Sequence, residues 1–457
     1  MLRFGDVEGE TQMQRWGWIR VVAVLAVLML VAVACDSDSS SSDGDSGDDG
    51  DQTVNPEDVD FTAGLTGEPV KIGVIVEETG GALANPEIPE GAKGAQLLVN
   101  EAGGIQGRPV EIITCDTAND PNTAAECGRQ MVEEGVVALA GVLSVHAGEF
   151  MPLMEENKIP SVGHVMAGVP GFTSPASFPV TGGIVSTAPS VAVGVAEQGA
   201  EKVSTPRPDL AAGAAIPTFV TPALEAFGAS YGNDVPVPEL APDMATYVQA
   251  SLEGGADGIA VFLSGQDATN FVITARQTEP DIPLGTFTTD ATAFREALGP
   301  DLAGIVTSGS TTCEFDSAAC DQYIDSMHAA GFEETTGNRL MAWSGVTIAD
   351  LLLEDAAEIS SAALWDALEA QTALDVGLYP PLQWQTPADF GLPLPRVFST
   401  CAVPLEYDED ANTSPMFDTL IDVFTGDPCD ASGDAVDLGS SSTGDSGDSG
   451  DSGDSSE

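Results

Sequence analysis

The chain has 457 residues, 43% of them hydrophobic, and sets 72 Asp and Glu against 14 Lys and Arg, for a formal net charge of −58. At roughly 100 to 200 residues per domain, this predicts two compact domains plus tails, and the charge excludes nucleic acid as a main partner because clustered Lys and Arg carry phosphate affinity. The signatures HExxH, GxSxG, SxxK, GxGxxG and GxxxxGK(S/T) are absent, so the expectation is a protein that is not an enzyme and uses no cofactor.

At the start of the chain, Arg15 and Arg20 precede the apolar run VVAVLAVLMLVAVA, which stops at Cys35. That run is shorter than the ~20 residues of a comfortable membrane span and suits the apolar region of a signal peptide. Ala32, Val33 and Ala34 before the cysteine resemble the lipobox of bacterial lipoproteins. The resemblance implies a signal peptide over 1–35, lipid on Cys35, and a protein held outside the cytoplasm on the cell membrane. A plain transmembrane anchor is the alternative, and Met13 offers a second start for the signal.

Residues 36–67 then read as an acidic tether and 431–457 as an acidic tail, both rich in Asp, Ser and Gly. Such segments have little apolar surface to bury and their charges repel, so both are expected to be extended and disordered. The DGDSGDDGD stretch lacks the Glu that a calcium loop of the EF-hand type requires.

Between these ends lie six cysteines in three sequence-local pairs: Cys115 with Cys127, Cys313 with Cys320, and Cys401 with Cys429. An even number in an exported chain predicts disulfides. Short loops cost least to close, so three local bridges are expected, each worth about 2 to 4 kcal/mol. No CxxC pair exists and the histidines number three, which argues against zinc.

From Val70 onward strand and helix alternate. PVKIGVIVE reads as a buried strand, EGAKGAQLLVNEAG as a helix, and PVEIITCDT, TAAECGRQMVEEG, VVALAGVLS and GEFMPLMEENK continue the rhythm. It restarts with VAVGVAEQGA and KVSTP and runs through PTFVTPALEAFGAS, MATYVQASLEGG, ADGIAVFLS and ATNFVITARQT. Strands apolar on both faces and separated by helices predict an α/β fold of two doubly wound parallel-sheet lobes.

The segment from KIGVIVEETGG to VVALAG is similar to the opening lobe of the type I periplasmic binding proteins of the branched-chain amino acid group. The features that match are the Thr79-Gly80 turn, Gly91 and Gly94, the run NEAGGIQGRPVEI, and Asp116 after the second strand. GVLSVHAGEFMPLMEENKIPSVG, EGGADGIAVFL and IPLGTFTTDATAF resemble later parts of the same family, over roughly residues 68–430. The resemblance implies capture of a small solute between lobes joined by a three-crossover hinge, with delivery to the permease subunits of an ABC importer. It places lobe 1 at 68–184, lobe 2 at 185–312, a return to lobe 1 at 313–378, and the hinge with completion of lobe 2 at 379–430. Crossings are expected near Ile184, Thr312 and Leu378, with LYPPLQWQTPADFGLPLPRVFSTC covering the hinge side.

For the site, the resemblance implies contacts from Thr79 and Gly80, a carboxylate-gripping Ser144, and an acidic Asp290 for an ammonium group with Thr289 beside it. A serine before a helix also serves as an N-cap, and Asp290 also reads as a solvated loop residue. His146 either lines the cleft or sits at a helix start. Amino-acid binders usually place Thr where this chain has Ala167 or Gly168, which weakens the amino-acid assignment and leaves amides or small organic acids as the alternative. Met166 and Phe262 read as an apolar wall or as plain core. A ligand-sensing receptor on the same fold is the second reading, because fold alone does not fix function.

Overall fold

The structure, a computed structural model, describes residues 54–80, 84–165, 168–210, 213–287 and 292–438. The signal segment, Cys35 and the acidic runs at 36–53 and 439–457 lie outside the described residues.

Five parallel strands form the first sheet: β1 (Val70–Val76), β2 (Val110–Asp116), β3 (Ala138–Ala140), β4 (Ser161–Val162) and β5 (Ser177–Phe178), in the order β2-β1-β3-β4-β5. Val70 pairs with Val110 and Ile72 with Ala138. The crossovers carry α1 (Ile88–Glu101), α2 (Pro121–Glu134), α3 (Met151–Glu156) and α4 (Val169–Thr173). Helices on both faces of the sheet leave no solvated side for β1 beyond its start, which is why its sequence is apolar from Ile72 to Val76, with Lys71 near the entry paired to Glu134. Asp120 caps α2 by accepting from the amides of Asn122 and Thr123, and Gly135 ends it at φ 69°.

The second lobe follows with α5 (Ile184–Glu197), β6 (Lys202–Pro208), α6 (Ile216–Ala226), β7 (Ser230–Val237), α7 (Ala245–Leu252), β8 (Gly258–Val261), α8 (Gly265–Thr278), β9 (Leu284–Thr286), α9 (Thr292–Leu298) and β10 (Ile305–Gly309). The chain then adds α10 (Ala318–Ala329), α11 (Arg339–Leu353) and α12 (Ser361–Ala370) to the first lobe, where Tyr323, Trp343 and Leu364 share one core with Ile72 and Val74. It returns as β11 (Cys401–Tyr407), β12 (Thr413–Pro415) and β13 (Ile421–Asp422) to an eight-stranded sheet ordered β12-β11-β10-β9-β8-β6-β7, with β13 on β11. β11 runs antiparallel to β10, so the parallel sheet carries an antiparallel edge.

Several expectations need correction. The end of the expected tether is held to the first lobe: Pro56–Asp58 form a 3-10 turn, and the Asn100 amide donates to the Phe61 carbonyl at 2.7 Å. The start of the expected tail is held too, since Val436 and Gln322 exchange hydrogen bonds of 2.9 and 2.8 Å. The third crossing falls after Leu378, because Tyr379, Leu382 and Trp384 are buried in the first core and Val397 is the first residue buried with Val185 and Phe219. The Trp384 indole N–H donates to the Pro179 carbonyl at 2.9 Å, which fastens the third crossing beside the first. Strand β7 was not expected, for its SYGNDVPV sequence is polar and largely unburied as befits a sheet edge. The three expected disulfides are present, with Cα separations of 5.6 Å for Cys115–Cys127, 5.0 Å for Cys313–Cys320 and 6.1 Å for Cys401–Cys429.

Candidate functional site

In open parallel sheets the ligand sits where loops leave the carboxyl ends of the strands. In the first lobe those ends carry Glu77 to Gly80, Asp116 and the Ser144–His146 segment. Asp116 organises the turn after β1: Oδ1 accepts from the amides of Glu78, Thr79 and Ala118 at 3.0, 3.2 and 2.8 Å, and Oδ2 from the Thr79 hydroxyl at 2.5 Å. Burial works to raise the Asp116 pKa, but the bonds from the Thr79 hydroxyl and from the amides of Ala118, Thr79 and Glu78 hold it below the ordinary value. Burial raises the neighbouring Glu78 carboxyl, with the Asp116 charge adding to the shift and Lys93 opposing it.

Gly80 sits at φ +103°, and an added Cβ would lie 2.5 Å from the Ala118 carbonyl oxygen, so the turn admits glycine alone. The Asn119 side chain donates to the Gly80 carbonyl at 3.2 Å, and its Oδ1 meets His146 Nε2 at 3.0 Å. One amide thereby ties the ends of three strands, and His146 belongs to the wall they form.

Ser144 is 2% exposed and its hydroxyl is committed. Oγ donates to Glu77 Oε1 at 2.7 Å and accepts from the His146 amide at 3.1 Å. The hydroxyl hydrogen therefore goes to a buried carboxylate of the protein, and the helical turn that follows, Ala147–Glu149, has His146 at its N-cap, so the capping role weighed for Ser144 is not the one it plays. Gly168 comes close to this segment, since an added Cβ would stand 4.0 Å from the Ser144 carbonyl oxygen. Ala167, Thr289, Asp290 and Met166 lie outside the described residues.

The second-lobe end carries an aromatic pair. Phe262 is buried in the core, and Phe287, just beyond β9, stacks on it with ring centroids 5.9 Å apart and an interplanar angle of 18°. Phe262 is thus the base and Phe287, 37% exposed, the surface. The sequence reading missed Phe287, although an aromatic directly after a strand was the available signal. Arg207, near the end of β6, is spent on Asp234 through bonds of 2.6 and 2.7 Å.

Among the described residues, the exposed large apolar side chains are Val54, Val145, Val169, Leu210, Leu240 and Phe287. Apart from Val54, each follows the carboxyl end of a parallel strand: Val145 after β3, Val169 after β4, Leu210 after β6, Leu240 after β7 and Phe287 after β9. Apolar side chains left in water at both sheet ends suit a ligand with an apolar part. A separate cavity of about 350 Å³ lies between the first and third crossings, lined by Pro179, Gln383, Phe390, Thr400 and Phe424 among others, and contains none of the expected site residues.

Residues 69–391 match the family described as periplasmic binding protein. Solved structures share the fold. An extracellular ligand-binding receptor from Verminephrobacter eiseniae is 19% identical at a TM-score of 0.64, with 76% of this chain and 99% of that one covered. An ABC transporter substrate-binding protein from Sphaerobacter thermophilus is 20% identical at 0.61, covering 79% and 100%. The branched-chain amino acid transporter substrate binding protein LivJ from Streptococcus pneumoniae, in complex with isoleucine, is 18% identical at 0.60, covering 76% and 99%. No curated protein matches the chain.

Proposed function

The chain belongs to the periplasmic binding protein family, and on that premise we propose that it captures a small amphipathic solute of the amino-acid class between its two lobes and delivers it to an ABC importer. The observation that carries this reading is the gathering of Val145, Val169, Leu210, Leu240 and Phe287 at the carboxyl ends of both sheets. Closure about the crossings would take these side chains out of water together with the apolar part of a ligand, and at ~25 cal/mol per Å² that burial drives capture. No bond chemistry is required.

The polar end of the solute would meet the wall built from Thr79, Gly80, Ser144, His146 and Gly168, with Phe262 supporting Phe287 opposite. Thr289 and Asp290 complete the second-lobe side in this proposal. A thermal-shift screen of amino acids, amides and small organic acids tests it, because a ligand that binds only the native state raises the melting temperature by mass action. A shift that grows with ligand concentration is expected, and a flat response across all three classes contradicts the proposal.

We further propose that lipid on Cys35 anchors the protein outside the cytoplasm. One acyl chain holds a protein weakly and two hold it stably, so Cys35→Ser should move the protein from the membrane fraction to the soluble one. Unchanged fractionation contradicts the anchor.

A further inference from the structure

The Ser144–Glu77 pair bears on which end of the solute faces the first lobe. A serine hydroxyl offers one hydrogen and two lone pairs. At Ser144 the hydrogen goes to Glu77 Oε1 and one lone pair takes the His146 N–H. What remains at Oγ is an acceptor. An acceptor suits a ligand N–H and has nothing to give a ligand carboxylate.

Charge points the same way. Glu77 and Ser144 are each 2% exposed, so the Glu77 carboxylate lies just beneath the wall, where screening by water is weak. Asp116 adds a second negative group behind Thr79, although its own oxygens are taken up by Glu78, Thr79 and Ala118. Lys93 opposes this field at Glu78 from an exposed position, and the Arg207 guanidinium of the second lobe is paired with Asp234. A carboxylate brought to this wall meets like charge, whereas an ammonium or amide nitrogen meets an acceptor backed by opposite charge.

We infer that Glu77 is a specificity-determining residue that turns the first-lobe wall into a receptor for the nitrogen end of the solute. This rests on the proposed solute-binding reading and reverses the orientation that the family resemblance implies, in which Ser144 grips a carboxylate. Glu77 acts through Ser144 and through its field, as a positioning residue. Ligands that keep the nitrogen and lose the carboxylate retain binding, and ligands that keep the carboxylate and lose the nitrogen do not.

The test is calorimetry on the purified full chain with matched probes: leucine, leucinamide, isoamylamine and 4-methylpentanoate, together with the corresponding phenylalanine series. The expected result is that the amide and amine bind at least tenfold tighter than the carboxylate-only probe. Glu77→Gln, which keeps an acceptor for Ser144 but loses the charge, should shrink that preference by tenfold or more with little change in the melting temperature of the unliganded protein. Carboxylate-only probes that bind as tightly as the amines overturn the inference and leave the solute-binding reading standing. A preference unchanged in Glu77→Gln also overturns it. If that variant does not fold, the wild-type preference alone decides. Failure of every probe to bind overturns the inference and the solute-binding reading together.

Discussion

Gly91 of α1 lies directly beneath the backbone of Arg339 at the start of α11, so that a Cβ added at Gly91 would stand 2.0 Å from the Arg339 carbonyl oxygen. Neither side can yield cheaply, because the obstacle is backbone within a packed pair of helices. The contact is where the return segment docks on the first lobe, and Arg339 Nε reinforces it with a 2.8 Å bond to Glu90. Gly94, a turn further along α1, makes room in the same way for the sulfur of Met327.

Gly91→Ala should therefore destabilise the protein despite the better helix propensity of alanine, by about 1 to 3 kcal/mol as for other overpacked cores. Urea denaturation should show a lower midpoint with an unchanged slope. A midpoint equal to or above wild type would mean that α1 and α11 are not held this closely.

Two buried groups predict opposed pH dependence. Burial pushes the Asp350 carboxyl on α11 from 3.8 up to about 7, with Glu354 adding to the shift. The folded state then binds the proton more tightly than the unfolded, so this contribution to stability is full below pH 3.8 and lost as pH rises through 7. Burial pushes the His164 imidazole from 6.5 down to about 4, so its contribution is full above pH 6.5 and lost as pH falls through 4. Between pH 4 and 6.5 the two slopes oppose each other. At 1.36 kcal/mol per unit the Asp350 shift sets a ceiling of about 4 kcal/mol. Thermal melts from pH 4.5 to 8 should show Asp350→Asn gaining on wild type as pH rises and His164→Gln gaining as pH falls. Parallel curves for all three proteins would show that neither group titrates in this range.

These particulars also show how far the sequence could be read. The strands were legible because a parallel strand covered on both faces is apolar along most of its length, as β1 is from Ile72 to Val76. β7 was not, because an edge strand carries no such demand. The third crossing was misplaced for want of a long-range contact: nothing near Trp384 in the chain announces that its indole bonds to Pro179. Residues 54–67 were assigned by the composition of the acidic run before them, although Phe61 and Leu65 already supplied apolar groups to dock. At the site, Ser144 was placed at its strand end, but its commitment to Glu77, 67 positions earlier, is a tertiary fact. The glycines were legible as positions, and their reason appears only with Arg339 and Met327 in place.

Salt should stabilise the protein. A net charge of −58 sets acidic groups against one another, and the ion pairs described, such as Lys71–Glu134 and Arg339–Glu90, involve few of them. Raising ionic strength from 0.1 to 1 M shortens the screening length from ~10 to ~3 Å and weakens that repulsion. The melting temperature should rise steadily with sodium chloride over this range. A fall would mean that attractive pairs outweigh the repulsion.

The central claim is that a small solute is held at the carboxyl ends of the two sheets, and calorimetric titration of Phe287→Ala beside wild type tests it most directly. Phe287 is exposed on its own lobe and stacked on a buried Phe262, so its removal takes away ligand-facing apolar surface and leaves the core in place. For a solute that stabilises the wild type, the account predicts one site per chain and a loss of about 1 to 2 kcal/mol in Phe287→Ala, or roughly five- to thirty-fold in affinity. An affinity unchanged in that variant would place the ligand elsewhere, with the cavity between the first and third crossings the next place to look, and would contradict the account.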